Sequence, residues 1–231
     1  MNLGTITRPM SGFGYGFGSE IVDVPLISWY IEGSDKKIMV DTGGGDPLTA
    51  IPRAAPYQRE EEQSLENALK RIGITCQEID MVVVTHLHWD HCGGNDLFPD
   101  SEILIQKEEL ESARSPFPIT ADGYIKKMVD DIDYVVISGD EQIAEEVKII
   151  FTPGHTYGFQ GVLVTAASGK IFIAGDTFTF FRNLEQTPPV ISGFYVDLKQ
   201  YYNSLEKIAQ LSPDLILPGH DFKVFDQQVY Y

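Results

Sequence analysis

Five histidines carry most of the chemistry in this chain, and each follows an apolar run. Three lie in Thr85-His86-Leu87-His88-Trp89-Asp90-His91-Cys92-Gly93-Gly94. The fourth closes Thr152-Pro153-Gly154-His155, and the fifth sits in Leu217-Pro218-Gly219-His220-Asp221. A lone imidazole is more often packed or exposed than a ligand. Three within six residues, and all five in matching contexts, point instead to metal. His86 and His88 are two apart, so they share a face on extended backbone and would diverge on a helix. They can converge on one ion. Asp90 and His91 are adjacent, diverge from that pair, and can serve a second ion. Gly93 and Gly94 let the backbone turn tightly and approach the site. Nitrogen and oxygen ligands without thiolate suit zinc, and manganese, iron or cobalt also fit.

These motifs need elements that end at them. Short apolar runs predict strands over 79–85, 103–106, 134–137, 147–151, 162–165, 171–174 and 215–217. Each histidine motif therefore begins at or just past a strand end, where α/β proteins place their chemistry. Leu65, Ala68, Leu69 and Ile72 recur at helical spacing, with Gly73 as a stop signal. Leu198, Tyr201, Tyr202, Leu205, Ile208 and Ala209 form a second apolar stripe, with Asp197 as its N-cap. Helices mixed with many strands indicate an α/β or α+β fold, here a single domain over residues 1–231. The segments 36–43 and 169–177 look alike, each a lysine-containing turn, a short strand and a terminal Asp-Thr, which suggests two similar halves. Residues 108–130, with Pro116, Pro118 and Gly123, read as an insertion near a pocket or as a connecting loop. Residues 10–18 alternate glycine with Phe13, Tyr15 and Phe17. They read as a loop or hairpin packing its rings on the core, or as an apolar lip over a pocket.

Composition limits the partners. The chain has 231 residues, 43% hydrophobic and 22% charged, which is ordinary globular composition. Seventeen basic residues against 34 acidic ones give a formal charge of -17, with no basic cluster. Such a chain repels polyanions, so neither nucleic acid nor an anionic membrane is an expected partner. No apolar run approaches a membrane span, and residues 1–10 lack a secretory signal pattern. Two cysteines, Cys76 and Cys92, are too few for a disulfide framework, so the expected compartment is the cytoplasm.

His86-Leu87-His88-Trp89-Asp90-His91 resembles the HxHxDH signature of the metallo-β-lactamase superfamily. The likeness extends over nearly the whole chain: Asp41-Thr42-Gly43, the signature, Pro153-Gly154-His155, Asp176 after its strand, and Pro218-Gly219-His220. It implies a four-layer αβ/βα sandwich of two related halves. It also implies that His86, His88 and His155 hold one divalent ion, that Asp90, His91 and His220 hold another, and that Asp176 bridges both. Asp41 resembles a carboxylate that steadies the metal-binding loop, although Asp-Thr-Gly is turn chemistry by itself. Two ions sharing a carboxylate can hold a hydroxide between them, because a metal lowers the pKa of bound water to about 7. Asp90 and Asp176 are then the catalytic carboxylates, with Asp90 also handling the proton passed to the leaving group. Cys92 is expected only to pack behind His91.

Within the superfamily the chain most resembles the N-acyl-homoserine lactonase group. The implied substrate is a small neutral lactone or ester, with a homodimer as one admissible assembly. A thioesterase of glyoxalase II type or a phosphodiesterase is the alternative, and a non-catalytic metal-binding module is disfavoured by the intact set of seven ligands. His88 stands where the flavodiiron branch has glutamate, and only 11 residues follow His220, too few for the helical glutathione-binding region of glyoxalase II. The lactonase group places a tyrosine three residues after the bridging aspartate, where this chain has Thr179. If Thr179 limits the reaction, Thr179→Tyr should raise lactone opening. Tyr157 could supply the missing hydroxyl or pack on the surface, and packing is the favoured reading. Phe178, Phe180 and Phe181 divide between core and pocket in a way that spacing does not allocate.

Overall fold

The structure is a computed structural model that describes residues 1–48 and 56–231. The first stretch carries β1 (Asn2–Pro9), β2 (Ile21–Ile27), β3 (Trp29–Ile31) and β4 (Ile38–Val40). The next runs through β5 (Tyr57–Gln58), α1 (Leu65–Arg71), β6 (Met81–Val83), α2 (Trp89–Cys92) and β7 (Glu102–Gln106). It continues with α3 (Lys107–Arg114), α4 (Lys126–Asp130) and β8 (Tyr134–Ile137). Then come β9 (Glu141–Ala144), β10 (Val147–Phe151), β11 (Gln160–Ala166), β12 (Gly169–Gly175), α5 (Leu198–Leu211) and β13 (Leu215–Pro218).

Two five-stranded sheets form, in the orders β3-β4-β6-β7-β8 and β13-β12-β11-β10-β9. In the first, β4, β6, β7 and β8 run parallel. In the second only β12 and β13 do. The alternation of side chains along the strands fixes how the layers stack. Ile38, Val40, Met81, Val83 and Leu104 face a core shared with Val147, Ile149, Val162, Ile171, Ile173 and Leu217 of the other sheet. Their neighbours in sequence point the opposite way. Met39, Val82, Ile103 and Ile105 pack against Leu65, Leu69 and Leu110 of the helices on one side. Ile150, Phe172 and Ala174 pack against Tyr201, Leu205 and Ile208 of α5 on the other. The result is helices, sheet, sheet, helices: the expected αβ/βα sandwich. Each such aliphatic side chain, fully buried, stabilises the fold by about 1.5–3 kcal/mol.

The ends of the helices are set locally. The Ser64 hydroxyl accepts from Asn67 N–H at the start of α1, and Asp197 Oδ1 accepts from Gln200 N–H at 2.9 Å to start α5. The buried stripe of α5 is narrower than its spacing suggested: Leu198 and Tyr202 face solvent. Residues 108–130 are not a plain loop, since they hold most of α3 and all of α4, with Leu110, Ala113 and Val129 buried. The prolines at 116 and 118 fall between those helices. The strand expected over 79–85 spans only Met81–Val83, because the backbone leaves the sheet to form the site.

A third sheet, β2-β1-β5, was not legible as strands. β1 carries an irregularity between Asn2 and Thr5 that breaks its alternation, and β2 contains Pro25, tolerated because β2 is an edge strand. Of the aromatic segment at 10–18, Phe13 is buried in the core and Tyr15 is exposed.

Candidate metal centre

The strand ends bring the chemistry together. Asp41 directly follows β4, His86 lies three residues past β6, and His155 four past β10. Asp176 directly follows β12, and His220 lies two residues past β13. The two sheets thus deliver their carboxyl-terminal ends to one end of the sandwich. Gly93 allows the signature to sit close to the 41–45 turn, since a Cβ there would lie 2.3 Å from the Gly44 carbonyl carbon.

Seven side chains meet at that end. His86 Nε2 is 2.9 Å from His88 Nδ1, which is 3.2 Å from His155 Nε2. His155 Nε2 lies 3.4 Å from Asp176 Oδ2. The other oxygen, Asp176 Oδ1, lies 3.1 Å from His220 Nε2 and 3.4 Å from His91 Nε2. Asp90 Oδ2 is 3.8 Å from His220 Nε2 and 3.9 Å from His91 Nε2. Two groups could each hold an ion, His86 with His88 and His155, and Asp90 with His91 and His220. A third, His86 with His91 and Asp176, overlaps both.

A cation fits this donor set. His91 Nε2 and Asp176 Oδ1 are buried and have no hydrogen-bond partner, although they face each other. Buried polar atoms are rarely left so, and an ion between them would satisfy both.

The outer ring nitrogens explain the orientation. His155 Nδ1 donates to Phe194 O at 2.8 Å and His220 Nδ1 to Pro25 O at 2.9 Å. His91 Nδ1 donates to Asp41 Oδ2 at 2.7 Å. With a hydrogen bond made from Nδ1, each ring turns its Nε2 inward, where it can give a lone pair to an ion. His88 is the reverse, with Nδ1 inward. Its outer edge is walled by Gly123, where a Cβ would lie 2.6 Å from the ring, and by the Tyr124 ring at 5.1 Å.

Asp41 is more than a turn former. It also accepts from Thr85 N–H at 2.7 Å and from the Thr85 hydroxyl at 2.9 Å, so it ties the 85–91 loop to β4. Its own backbone lies in the left-handed region at φ 60°.

The charges divide the centre in two. Burial, and then the neighbouring rings, hold His86 well below its ordinary value; burial likewise takes His88 to about 3 and lowers His155. Those three are neutral lone-pair donors. Burial opposes charge at His91 and His220 too, but Asp176 and its neighbouring carboxylates outweigh it and raise both. Despite burial, His91 and His220 in turn hold Asp90 and Asp176 below the usual carboxylate range.

Residues 27–220 match the Metallo-beta-lactamase superfamily. The chain belongs to this superfamily. It is a metal-dependent hydrolase of that kind, as its motifs implied. An N-acyl homoserine lactonase of a Bacillus species is 28% identical over 218 residues, covering 88% of this chain and 84% of the relative. The N-acyl homoserine lactonase AttM of Azorhizobium caulinodans is 28% identical over 222 residues, covering 86% and 82%. A solved N-acyl homoserine lactone hydrolase, with its product N-hexanoyl-L-homoserine at the catalytic metal center, superposes with a TM-score of 0.85. It is 22% identical and is covered to 95%, with all of this chain matched. A Staphylococcus aureus probable metal-dependent hydrolase gives a TM-score of 0.83 at 17% identity, with 96% and 87% covered.

Around this superfamily site two residues escaped sequence reasoning. Glu109, fully buried on α3, accepts from Leu87 N–H at 2.9 Å and from Gly158 N–H at 3.2 Å. It links the loop of His86 and His88 to the loop of His155. Burial raises its carboxyl pKa. Tyr201, on α5, donates its hydroxyl to Thr177 O at 2.7 Å and so braces the turn after Asp176. Neither partner is near in sequence, so the only available signals were a glutamate and a tyrosine on the apolar faces of their helices.

Of the residues suggested for substrate, Phe178 and Thr179 are buried in the protein's own packing. Phe178 is in the core with Phe172 and Tyr201. Thr179 is buried, and its hydroxyl donates to Phe13 O with Asn183 Oδ1 also in reach. Thr179→Tyr would have to break that anchor, so the structure does not support it as a gain of activity. Tyr157 is half-buried, with its ring 6.3 Å from that of Phe117. Cys92 is buried with Sγ 3.5 Å from Leu87 O, and burial raises its thiol pKa, as suits a packing residue.

Proposed function

We propose that the chain opens a small neutral lactone of the N-acyl-homoserine lactone class, using two divalent ions, zinc by preference. His86, His88 and His155 hold the first ion, Asp90, His91 and His220 the second, and Asp176 stands between them. The observation that carries this reading is Asp176: one carboxylate oxygen faces His155 and the other, unpartnered, faces His91 and His220. When bound, two such ions supply hydroxide from water at neutral pH and polarise a carbonyl oxygen.

The protein's own groups do the rest. Asp90, held as a carboxylate, receives a proton and returns it to the alkoxide leaving the ring. Asp41, Pro25 O and Phe194 O keep three rings in register, so little reorganisation is needed during the reaction. The Phe13 ring packs 5.6 Å from His220 and 5.2 Å from Phe180, and Phe194 is exposed beside His155. The exposed Phe194 ring offers an apolar surface for an acyl chain, and the buried Phe13 ring backs His220 from the core. Two further facts favour the lactone: the relatives named as lactonases, and the homoserine product at the metal center of a protein with this fold. The net charge of -17 disfavours nucleic acid.

The test is a panel of short- and long-chain acyl-homoserine lactones, thioesters and phosphodiesters, with ring opening followed by proton release. Turnover of the lactones, lost on chelation and restored by zinc, is expected. Failure on every lactone with efficient cleavage of a thioester or phosphodiester would overturn the substrate assignment.

A further inference from the structure

Arg8 stands on the face of β1 that Ile6 buries in the core, one residue from the end of the strand. Its main chain pairs with Val22 of β2, but among the described residues its side chain makes no hydrogen bond or ion pair, and its Nε is buried without a partner. Its guanidinium carbon lies over the Phe194 ring, 5.6 Å from the centroid. Phe194 is the residue whose carbonyl holds His155. Arg8 is also near enough for its charge to act on Asp90: against burial, which raises the carboxyl pKa, it adds a small lowering to the larger one from His91 and His220.

An unpaired guanidinium here is not for want of partners, because the chain has 34 acidic residues against 17 basic ones. Burying part of a cation without an anion costs free energy, and an aromatic face offsets only part of it. The planar fork of arginine matches two carboxylate oxygens at once, a partner that none of the described residues supplies.

We infer that Arg8 forms an anion-reading subsite beside the metal centre, which binds a carboxylate carried on the substrate away from the bond that is cleaved. The inference rests on the proposed lactone hydrolase and extends its substrate range: besides neutral lactones, those whose acyl chain carries a carboxylate are bound, and bound better than neutral ones of the same length.

The zinc-loaded protein is titrated with butyrate and with glutarate at constant ionic strength. Butyrate reports a single carboxylate at the metals, and the added affinity of glutarate reports the subsite. Glutarate should bind about tenfold tighter than butyrate, as a charge-assisted hydrogen bond allows. Arg8→Met, which keeps the apolar stem against Phe194, should abolish the gain, and Arg8→Lys should keep part of it. Both variants are checked for unchanged zinc content and melting midpoint, and Arg8→Gln replaces any that misfolds. In turnover, Arg8→Met should raise KM about tenfold for a lactone whose acyl chain ends in carboxylate, and leave the neutral lactone unchanged. Equal glutarate preference in wild type and Arg8→Met, or none in wild type, overturns the subsite. Failure of every lactone would overturn the substrate reading alone, because the titration requires no turnover.

Discussion

At the scale of residues, Asp41 and Asp90 separate the work of orienting from the work of reaction. Asp41 touches His91 and Thr85 rather than the inward-facing atoms. Asp41→Asn should therefore weaken metal binding about 10- to 100-fold through a mis-set His91 ring, as read by competition with a chelator. Unchanged affinity would remove its orienting role. Asp90→Asn takes away a ligand and a proton carrier together, so kcat should fall far more than substrate affinity. Near-normal kcat in a folded, fully metallated variant would show that Asp90 carries no proton. That His86, His88, Asp90 and His91 would cluster was readable because they lie within six residues, whereas His155, Asp176 and His220 are distant in sequence and were joined to them by the family resemblance. Thr179 and Phe178 were not readable, because the side of the chain they face is set by Phe13 and by α5, distant in sequence.

The elements act as carriers whose ends must agree to within fractions of an ångström, and Glu109 is where two of them are tied. Glu109→Gln replaces an acceptor oxygen by a donor facing Leu87 N–H or Gly158 N–H. It should cost about 1–3 kcal/mol of stability. It should also loosen the ion held by His86, His88 and His155 more than the other. Thermal unfolding together with stepwise metal titration checks this, and equal loss at both ions would mean that Glu109 does not couple those loops. The strands that carry ligands were legible from their apolar runs, since β6, β10, β12 and β13 are mostly apolar, with β6 buried throughout and β12 and β13 buried towards the site. α3 and α4 were hidden by the prolines between them, and β1 and β2 by an irregular register and an internal proline.

For the whole molecule, the centre makes stability depend on pH. His86, His88 and His155 are held below the ordinary 6.5, His88 at about 3, so the folded metal-free protein keeps them neutral while the unfolded chain protonates them. Unfolding then takes up protons, and stability must fall as pH drops from 6.5 towards 3. His91 and His220 are raised, so below 6.5 they are protonated in both states and contribute no slope there. The stability they add is lost only as pH rises through their raised values. Urea midpoints of the metal-free protein should decline steadily from pH 6.5 to 4, and a flat profile would contradict the assigned environments. The paired Asp-Thr strand ends suggested two similar halves, and β4 and β12 each lie second from an edge of their sheets; the sandwich itself was implied by the family resemblance. The most direct test of the account is the number of ions that this end of the sandwich holds. Elemental analysis of protein purified without chelator and supplied with zinc should give two ions per chain. At most one tightly held ion under those conditions would contradict the paired centre around Asp176.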